Sequence, residues 1–269
     1  MKTYPRLLII AGSDSGGGAG IQADIKSAGA CGAYSTTVIT AITAQNTQGV
    51  QAIEGVSPKM ITAQLKSVLD DIGSDAIKIG MLHSREVIVA IHKELKNYNP
   101  ENIVLDPVMV ATSGDRLLEK EAIDALMTKI IPLTKVITPN VHEMEILLGE
   151  KINNATPFKD YAKSLAEKFN VSVLLKAGHL KGKTSDDILF NIETKKFTKL
   201  TAPRTETKNT HGTGCSLSSA LASYMAQGYS LENAAQEAKS FISEAIQAGS
   251  EYQLGKGSGP IHHFYKLEK

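Results

Sequence analysis

Asn209-Thr210-His211-Gly212-Thr213-Gly214-Cys215 runs without a break into Ser216-Leu217-Ser218-Ser219-Ala220-Leu221-Ala222-Ser223-Tyr224-Met225. Two glycines and small polar residues make a loop, and the apolar spacing after Thr213 predicts an amphipathic helix. Such a helix leaves its first backbone N–H groups unpaired and points the positive end of its dipole at the loop, which makes the junction an anion site. Cys215 falls in the first turn, where that field is expected to lower the thiol pKa and bring thiolate within reach near neutral pH. An anion hole of Gly212, Thr213, Gly214 and Cys215 amides beside a sulfur base suits phosphoryl transfer, which needs positioning and stabilised charge on the transferring oxygens. The same heptapeptide also reads as a glycine-rich helix entry with a small buried Cys.

Working outward, the chain alternates strands and helices. Residues 6–11 form a short apolar run, broken by Gly12-Ser13-Asp14-Ser15-Gly16-Gly17-Gly18-Ala19-Gly20 before a helical pattern over 21–30. The loop is not a dinucleotide fingerprint, because Ile21 stands where the third small residue belongs, and no Gly-Lys-Ser/Thr follows to make a phosphate loop. Strand patterns follow over 34–44, 75–79, 103–105, 135–138 and 171–176, with a hairpin over 187–192 and 195–200. Helical patterns occupy 57–71, 85–98, 139–148 and 231–248. This alternation predicts a three-layer α/β/α sandwich with a mainly parallel sheet, one domain over 1–269, and ligands along the carboxyl edge of the strands.

Several side chains fall on that edge. Asp106-Pro107-Val108-Met109 follows a strand that Pro107 terminates, so Asp106 is placed for an electrostatic or magnesium-binding role. Asp24, one turn into the first helix, can accept a hydrogen bond from an amine or hydroxyl, or stand solvated. Asn140 and Glu143 share the start of a helix, which by itself is a capping arrangement. Gly182-Lys183-Thr184 imitates a phosphate loop, but Ala177 replaces its first glycine and a strand follows, so the match fails. His262 and His263 lack metal-pair spacing and read as structural.

Composition narrows the class. The 269 residues carry 29 basic and 28 acidic side chains, a net charge of +1 with both signs interspersed, which favours a small-molecule ligand over nucleic acid or an anionic membrane. Cys31 and Cys215 are the only cysteines, no apolar run reaches membrane-spanning length, and no signal pattern precedes the first strand, so the expected compartment is a reducing cytoplasm.

Asn-Thr-His-Gly-Thr-Gly-Cys, together with Ala11-Gly12-Ser13-Asp14-Ser15-Gly16-Gly17-Gly18-Ala19-Gly20-Ile21-Gln22-Ala23-Asp24 and the Ile137-Thr138-Pro139-Asn140-x-x-Glu143 segment, resembles the hydroxymethylpyrimidine/phosphomethylpyrimidine kinases of thiamine biosynthesis, members of the ribokinase superfamily. The resemblance covers 7–263 with several motifs in the family's order. It implies a ribokinase-like fold, ATP as co-substrate, Mg2+, a commonly dimeric assembly, and successive phosphorylation of 4-amino-5-hydroxymethyl-2-methylpyrimidine and its monophosphate. It further implies that Gly12, Asp24, Gln45, Met81 and Val108 hold the pyrimidine, with the Gln45 amide meeting the amino group and a ring nitrogen. Lys176, Asn140, Thr213 and Lys239 fall on the nucleotide side, and Asp106 and Glu143 on the metal. A related cysteine-using class of pyridoxal kinases carries a second Cys in the lid, where Val110-Ala111-Thr112-Ser113-Gly114-Asp115 has none. Pyridoxal kinase activity is therefore the alternative, with a catalytically silent nucleotide- or pyrimidine-binding regulator of the same fold as a second.

Overall fold

The computed structural model describes residues 2–109, 118–153, 156–176 and 182–267. The lid segment 110–115 and the 177–181 portion of the failed phosphate loop lie outside the described residues.

The molecule is built around β1 (Arg6–Asp14), whose Leu-Leu-Ile-Ile run is fully buried on both faces. β2 (Tyr34–Asn46) pairs parallel on one side of it and β4 (Ala76–Ile79) parallel on the other. β5 (Ile103–Leu105), β6 (Val136–Ile137) and β7 (Ser172–Lys176) continue the parallel order outward from β4. Antiparallel strands finish both edges: β3 (Gly49–Gly55) on β2, and the hairpin β8 (Thr184–Asn191) and β9 (Lys196–Pro203) on β7. The nine strands make one sheet in the order β3-β2-β1-β4-β5-β6-β7-β8-β9.

Period-2 alternation sorts the strand residues between two helical layers. Leu7 and Ile9 face α1 (Gly20–Ala30), α7 (Thr213–Ala226) and α8 (Leu231–Gly249). Leu8 and Ile10 face α2 (Pro58–Leu69), α3 (Arg85–Tyr98), α5 (Val141–Leu148) and α6 (Phe158–Phe169). A short α4 (Lys120–Ala125) continues into a π turn and a 3-10 turn on the same side. The expected three layers are present. The sequence reading left β3, α4 and α6 unassigned, and the strand expected over 135–138 shortens to two residues.

Crossovers run from β1 one way to β2 and then back to β4, so the strand order reverses at the carboxyl ends of β1 and β4. A doubly wound sheet opens its ligand crevice at that reversal. Among the described residues no helix is long and apolar enough to cross a membrane.

Candidate active site

The loop after β1 is organised by Asp14. Its carboxylate accepts from Gly16 N (2.8 Å), Gly18 N (3.1 Å) and Ala19 N (2.8 Å), which folds the glycines into a tight turn entering α1. Burial pushes this carboxyl up, but the His211 side chain and the loop amides outweigh it and hold Asp14 below the usual carboxylate range. The Ser15 hydroxyl clamps the end of β2 by donating to Gln45 O and accepting from Gln45 N. Gly12 lies under the Met81 thioether, so close that a Cβ would sit 2.9 Å from Sδ. Gly12, Met81 and Gln45 therefore line the crevice at the ends of three neighbouring strands.

The 209–215 loop closes over this turn. Asn209 anchors it from below, donating to Gly249 O (2.7 Å) and Tyr252 O (2.6 Å), while His211 Nε2 lies 2.9 Å from Asp14 Oδ2. Gly212 has φ 79° and presses on the first loop: a Cβ there would lie 1.7 Å from Gly18 O. α7 begins at this point with no capping side chain, leaving the Gly214 and Cys215 amides at its head. Thr213 departs from expectation, since its N–H and Oγ1 both donate to Thr210 O at 3.2 and 2.7 Å. Behind the loop, Ser216 Oγ bonds the buried His263 Nε2 at 2.8 Å.

Cys215 stands in this first turn, but its thiol is not a ready-made thiolate. Burial pushes it up to about 11, with Lys78 opposing the rise and Asp24 and Asp106 adding to it. The expectation of a lowered pKa fails because the protein packed around the half-buried sulfur disfavours the charged form more than Lys78 and the Gly20 N–H favour it. Gly20 N–H donates to the sulfur, tying it to the start of α1.

Asp24 also departs from its expected role. It is fully buried; its oxygens accept from Lys78 Nζ at 2.8 and 2.7 Å and from Ser219 Oγ at 2.7 Å, which leaves no face for a ligand. Lys78, fully buried in the middle of β4, carries no signal beyond a single charge in an apolar strand, and the sequence reading missed it. Ser219 lies one helical turn past Cys215, so this trio is packed directly under the sulfur's face of α7.

A second charged group faces Gly214. Asp106, buried at the end of β5, accepts from Thr138 Oγ1 (3.1 Å) and Lys176 Nζ (2.7 Å). Lys176 also lies 4.0 Å from Glu143, and a Cβ on Gly214 would sit 3.2 Å from its ammonium and 3.5 Å from Asp106 Oδ2. Burial lowers the Lys176 pKa, but the two carboxylates outweigh it and hold the ammonium charged. Glu143 is pushed above the ordinary carboxylate range by burial, Lys176 opposing. Asn140 and Glu143 form a complete capping box at the head of α5, Glu143 Oε2 accepting from Asn140 N at 2.8 Å and Asn140 Oδ1 from Glu143 N at 2.9 Å. Val108 follows Asp106 and turns back on it, its N–H donating to Asp106 O. Lys239 stands apart on α8, its ammonium on Asp187 Oδ2 (2.7 Å) and Ser185 Oγ (3.3 Å), beside a groove lined by Thr201, Pro203, Thr205 and Gln247.

The phosphomethylpyrimidine kinase family model matches residues 14–262. The chain belongs to that family. This phosphomethylpyrimidine kinase family member is 46% identical over 263 residues to the hydroxymethylpyrimidine/phosphomethylpyrimidine kinase of Rhizobium meliloti strain 1021, covering 97% of this chain and 98% of that protein. The crystal structure of phosphomethylpyrimidine kinase from Clostridium difficile 630 is similar at 44% identity with a TM-score of 0.79, covering 90% of this chain and 99% of that one. A Bacillus subtilis pyridoxal kinase, solved as an ADP complex, superposes with a TM-score of 0.88 at 33% identity, covering 99% of this chain and all of that one. The phosphomethylpyrimidine kinase fold of this chain is thus ribokinase-like, and the protein is a phosphotransferase of that family.

Proposed function

We propose that the chain transfers the terminal phosphoryl group of ATP to 4-amino-5-hydroxymethyl-2-methylpyrimidine and then to its monophosphate, within thiamine biosynthesis. The observation that carries this reading is the uncapped head of α7, held by Gly212 against the Gly18 carbonyl and facing Lys176 and Asp106 through Gly214. Gly12, Gln45, Met81 and Val108 would bound the pyrimidine, and the Gly214 and Cys215 amides would meet the transferring phosphoryl oxygens. Lys176 and Asn140 would serve the nucleotide phosphates, with Lys239 further out toward the adenine.

Asp106 and Glu143 fit a magnesium ion by chemistry: two oxygen donors, one at a strand end and one at a helix head, leave the remaining positions to phosphate and water. Bound there, the ion would neutralise phosphate charge. Lys176 lies 2.7 Å from Asp106 and 4.0 Å from Glu143, within reach of the phosphate that those carboxylates and their ion would hold.

With its thiol neutral, Cys215 begins as a hydrogen-bond partner that aligns the substrate hydroxyl. In a loose phosphoryl-transfer transition state little bond formation precedes cleavage, so the hydroxyl proton leaves late, to an oxygen of the transferred phosphoryl group or to solvent, and a strong base is not needed. The chain would act as a single domain in the cytoplasm, as a homodimer. Pyridoxal is the competing substrate, given the likeness to pyridoxal kinases.

The deciding experiment compares ATP-dependent phosphorylation of the hydroxymethylpyrimidine, its monophosphate and pyridoxal by the wild type, Cys215→Ala and Cys215→Ser. Two-step pyrimidine phosphorylation, reduced at least tenfold in Cys215→Ala and partly restored by a serine hydroxyl, is the expected result. Turnover of pyridoxal alone overturns the substrate, and an unimpaired Cys215→Ala overturns the role of the thiol.

A further inference from the structure

Three side chains form a continuous line across the pyrimidine end of the crevice: Asp14, His211 and Gln45. The Asp14 carboxylate already accepts three loop amides, two of them on Oδ2, and His211 Nε2 approaches that same oxygen at 2.9 Å. An oxygen so engaged only accepts, so His211 Nε2 must carry a proton and donate it. The Gln45 side-chain amide lies beyond the same nitrogen, with Nε2 at 3.4 Å, and Gln45 Oε1 lies 3.2 Å from Thr43 Oγ1.

That amide orientation sets one donor against another. Turning the amide over removes the conflict, since its two ends have nearly the same shape. The carbonyl oxygen then accepts a share of His211 Nε2–H, and the amide nitrogen donates to Thr43 Oγ1. Thr43 keeps its own proton for Ser13 O, 2.9 Å away. Every group in the line is satisfied, and half-buried Gln45 retains one N–H on the Thr43 side and one lone pair on the His211 side for a ligand.

We propose that His211 and Asp14 are positioning residues that fix the Gln45 amide in one orientation and so set the chain's preference for an aminopyrimidine edge. The proposal rests on the reading of Gln45 as a substrate contact. A ring nitrogen beside an exocyclic amine offers an acceptor and a donor, the complement of what the fixed amide presents. A 3-hydroxypyridine has carbon, not nitrogen, on both sides of its hydroxyl-bearing ring atom and loses one of the two bonds. The loop amides hold Asp14, Asp14 holds the His211 tautomer, and His211 holds the amide; the glycine turn thereby reaches the substrate through two intermediaries. His211 is 13% exposed and Asp14 3%, so water competes little for the bond between them.

The test is a double-mutant cycle on substrate KM and on pyrimidine binding measured by calorimetry without ATP. His211→Leu is expected to raise the pyrimidine KM and Kd about tenfold with kcat lowered less than about threefold and the ATP KM unchanged. His211→Gln, which keeps an N–H at the same reach, is expected to recover most of that loss, and Thr43→Val to reproduce part of it from the other end of the amide. In a Gln45→Ala background, His211→Leu is expected to add nothing further. A full additive loss in that background overturns the relay while leaving Gln45 as the contact. A Gln45→Ala variant with unchanged pyrimidine KM overturns the substrate contact and the relay with it. Should His211→Leu fail to fold, Thr43→Val and His211→Gln decide the matter: an unchanged KM in Thr43→Val with a tenfold rise in His211→Gln is the overturning result.

Discussion

Gly212 and Gly18 meet backbone to backbone: with Gly212 at φ 79°, a methyl group on its α-carbon would overlap the Gly18 carbonyl at 1.7 Å. Two loops from distant parts of the chain are thus locked by the absence of a side chain at one position. Gly212→Ala must either open the loops or strain the left-handed backbone, and is expected to cost about 3 kcal/mol or more together with most of the activity. Gly228, at φ 85° with open space around it, is the control, and Gly228→Ala is expected to cost about 1 kcal/mol. Thermal denaturation checks both, at about 2–4 °C per kcal/mol for a chain of this size.

The buried Lys78–Asp24 pair sets up a second comparison. Both side chains are 0% exposed, so removing either partner strands a charge in the interior. Lys78→Met is expected to destabilise by about 3–5 kcal/mol, whereas Lys78→Met with Asp24→Asn, which keeps an acceptor for Ser219 Oγ, is expected to recover most of that loss. Urea denaturation of the two singles and the double closes the cycle. A double variant no more stable than Lys78→Met means that the pair's neighbours, rather than its charge balance, set the cost.

His263 gives the fold a pH dependence of definite sign. Burial, aided by Lys26 and His262, lowers it to about 4 from an ordinary value of 6.5. The unfolded chain therefore binds a proton that the folded chain refuses between those two values, and stability is complete above pH 6.5 and lost as pH falls toward 4. From pH 6.5 to 5 this residue is expected to remove about 2 kcal/mol. His263→Gln, which keeps a hydrogen-bonding end near Ser216 without titrating, should flatten that part of the urea-stability profile; an equal slope in both proteins would assign the pH dependence to other groups.

The architecture was legible because apolar periodicity is local. Residues 85–98 and 103–105 have the same bounds in the sequence reading and the structure, and the helix after Thr213 starts where its spacing says it should. β3 was missed because Gly49–Gly55 is an exposed edge strand with little apolar pattern. At the site, the motifs located the loops but not the direction of individual side chains. Asp24 was read outward from a helix, yet the unmatched charge of Lys78 on the adjacent strand draws it inward. The Cys215 thiol was read from the helix dipole alone, because the protein that surrounds it comes from segments no local pattern joins. Asp14 was passed over as one polar residue in a glycine turn, and His211 was quoted without a role; an Asp just beyond an apolar run and before six small residues was the available signal.

The contact between Asp14 and His211 spans 197 positions. On a ribosome adding about 5–20 residues per second, roughly ten to forty seconds separate the emergence of the first loop from that of the second. For that interval the sheet can grow from β1 outward while the crevice at its edge stays without its far wall. The cell consequently receives a kinase whose substrate site is among the last parts to be assembled, together with the α7 and α8 layer that covers Leu7 and Ile9.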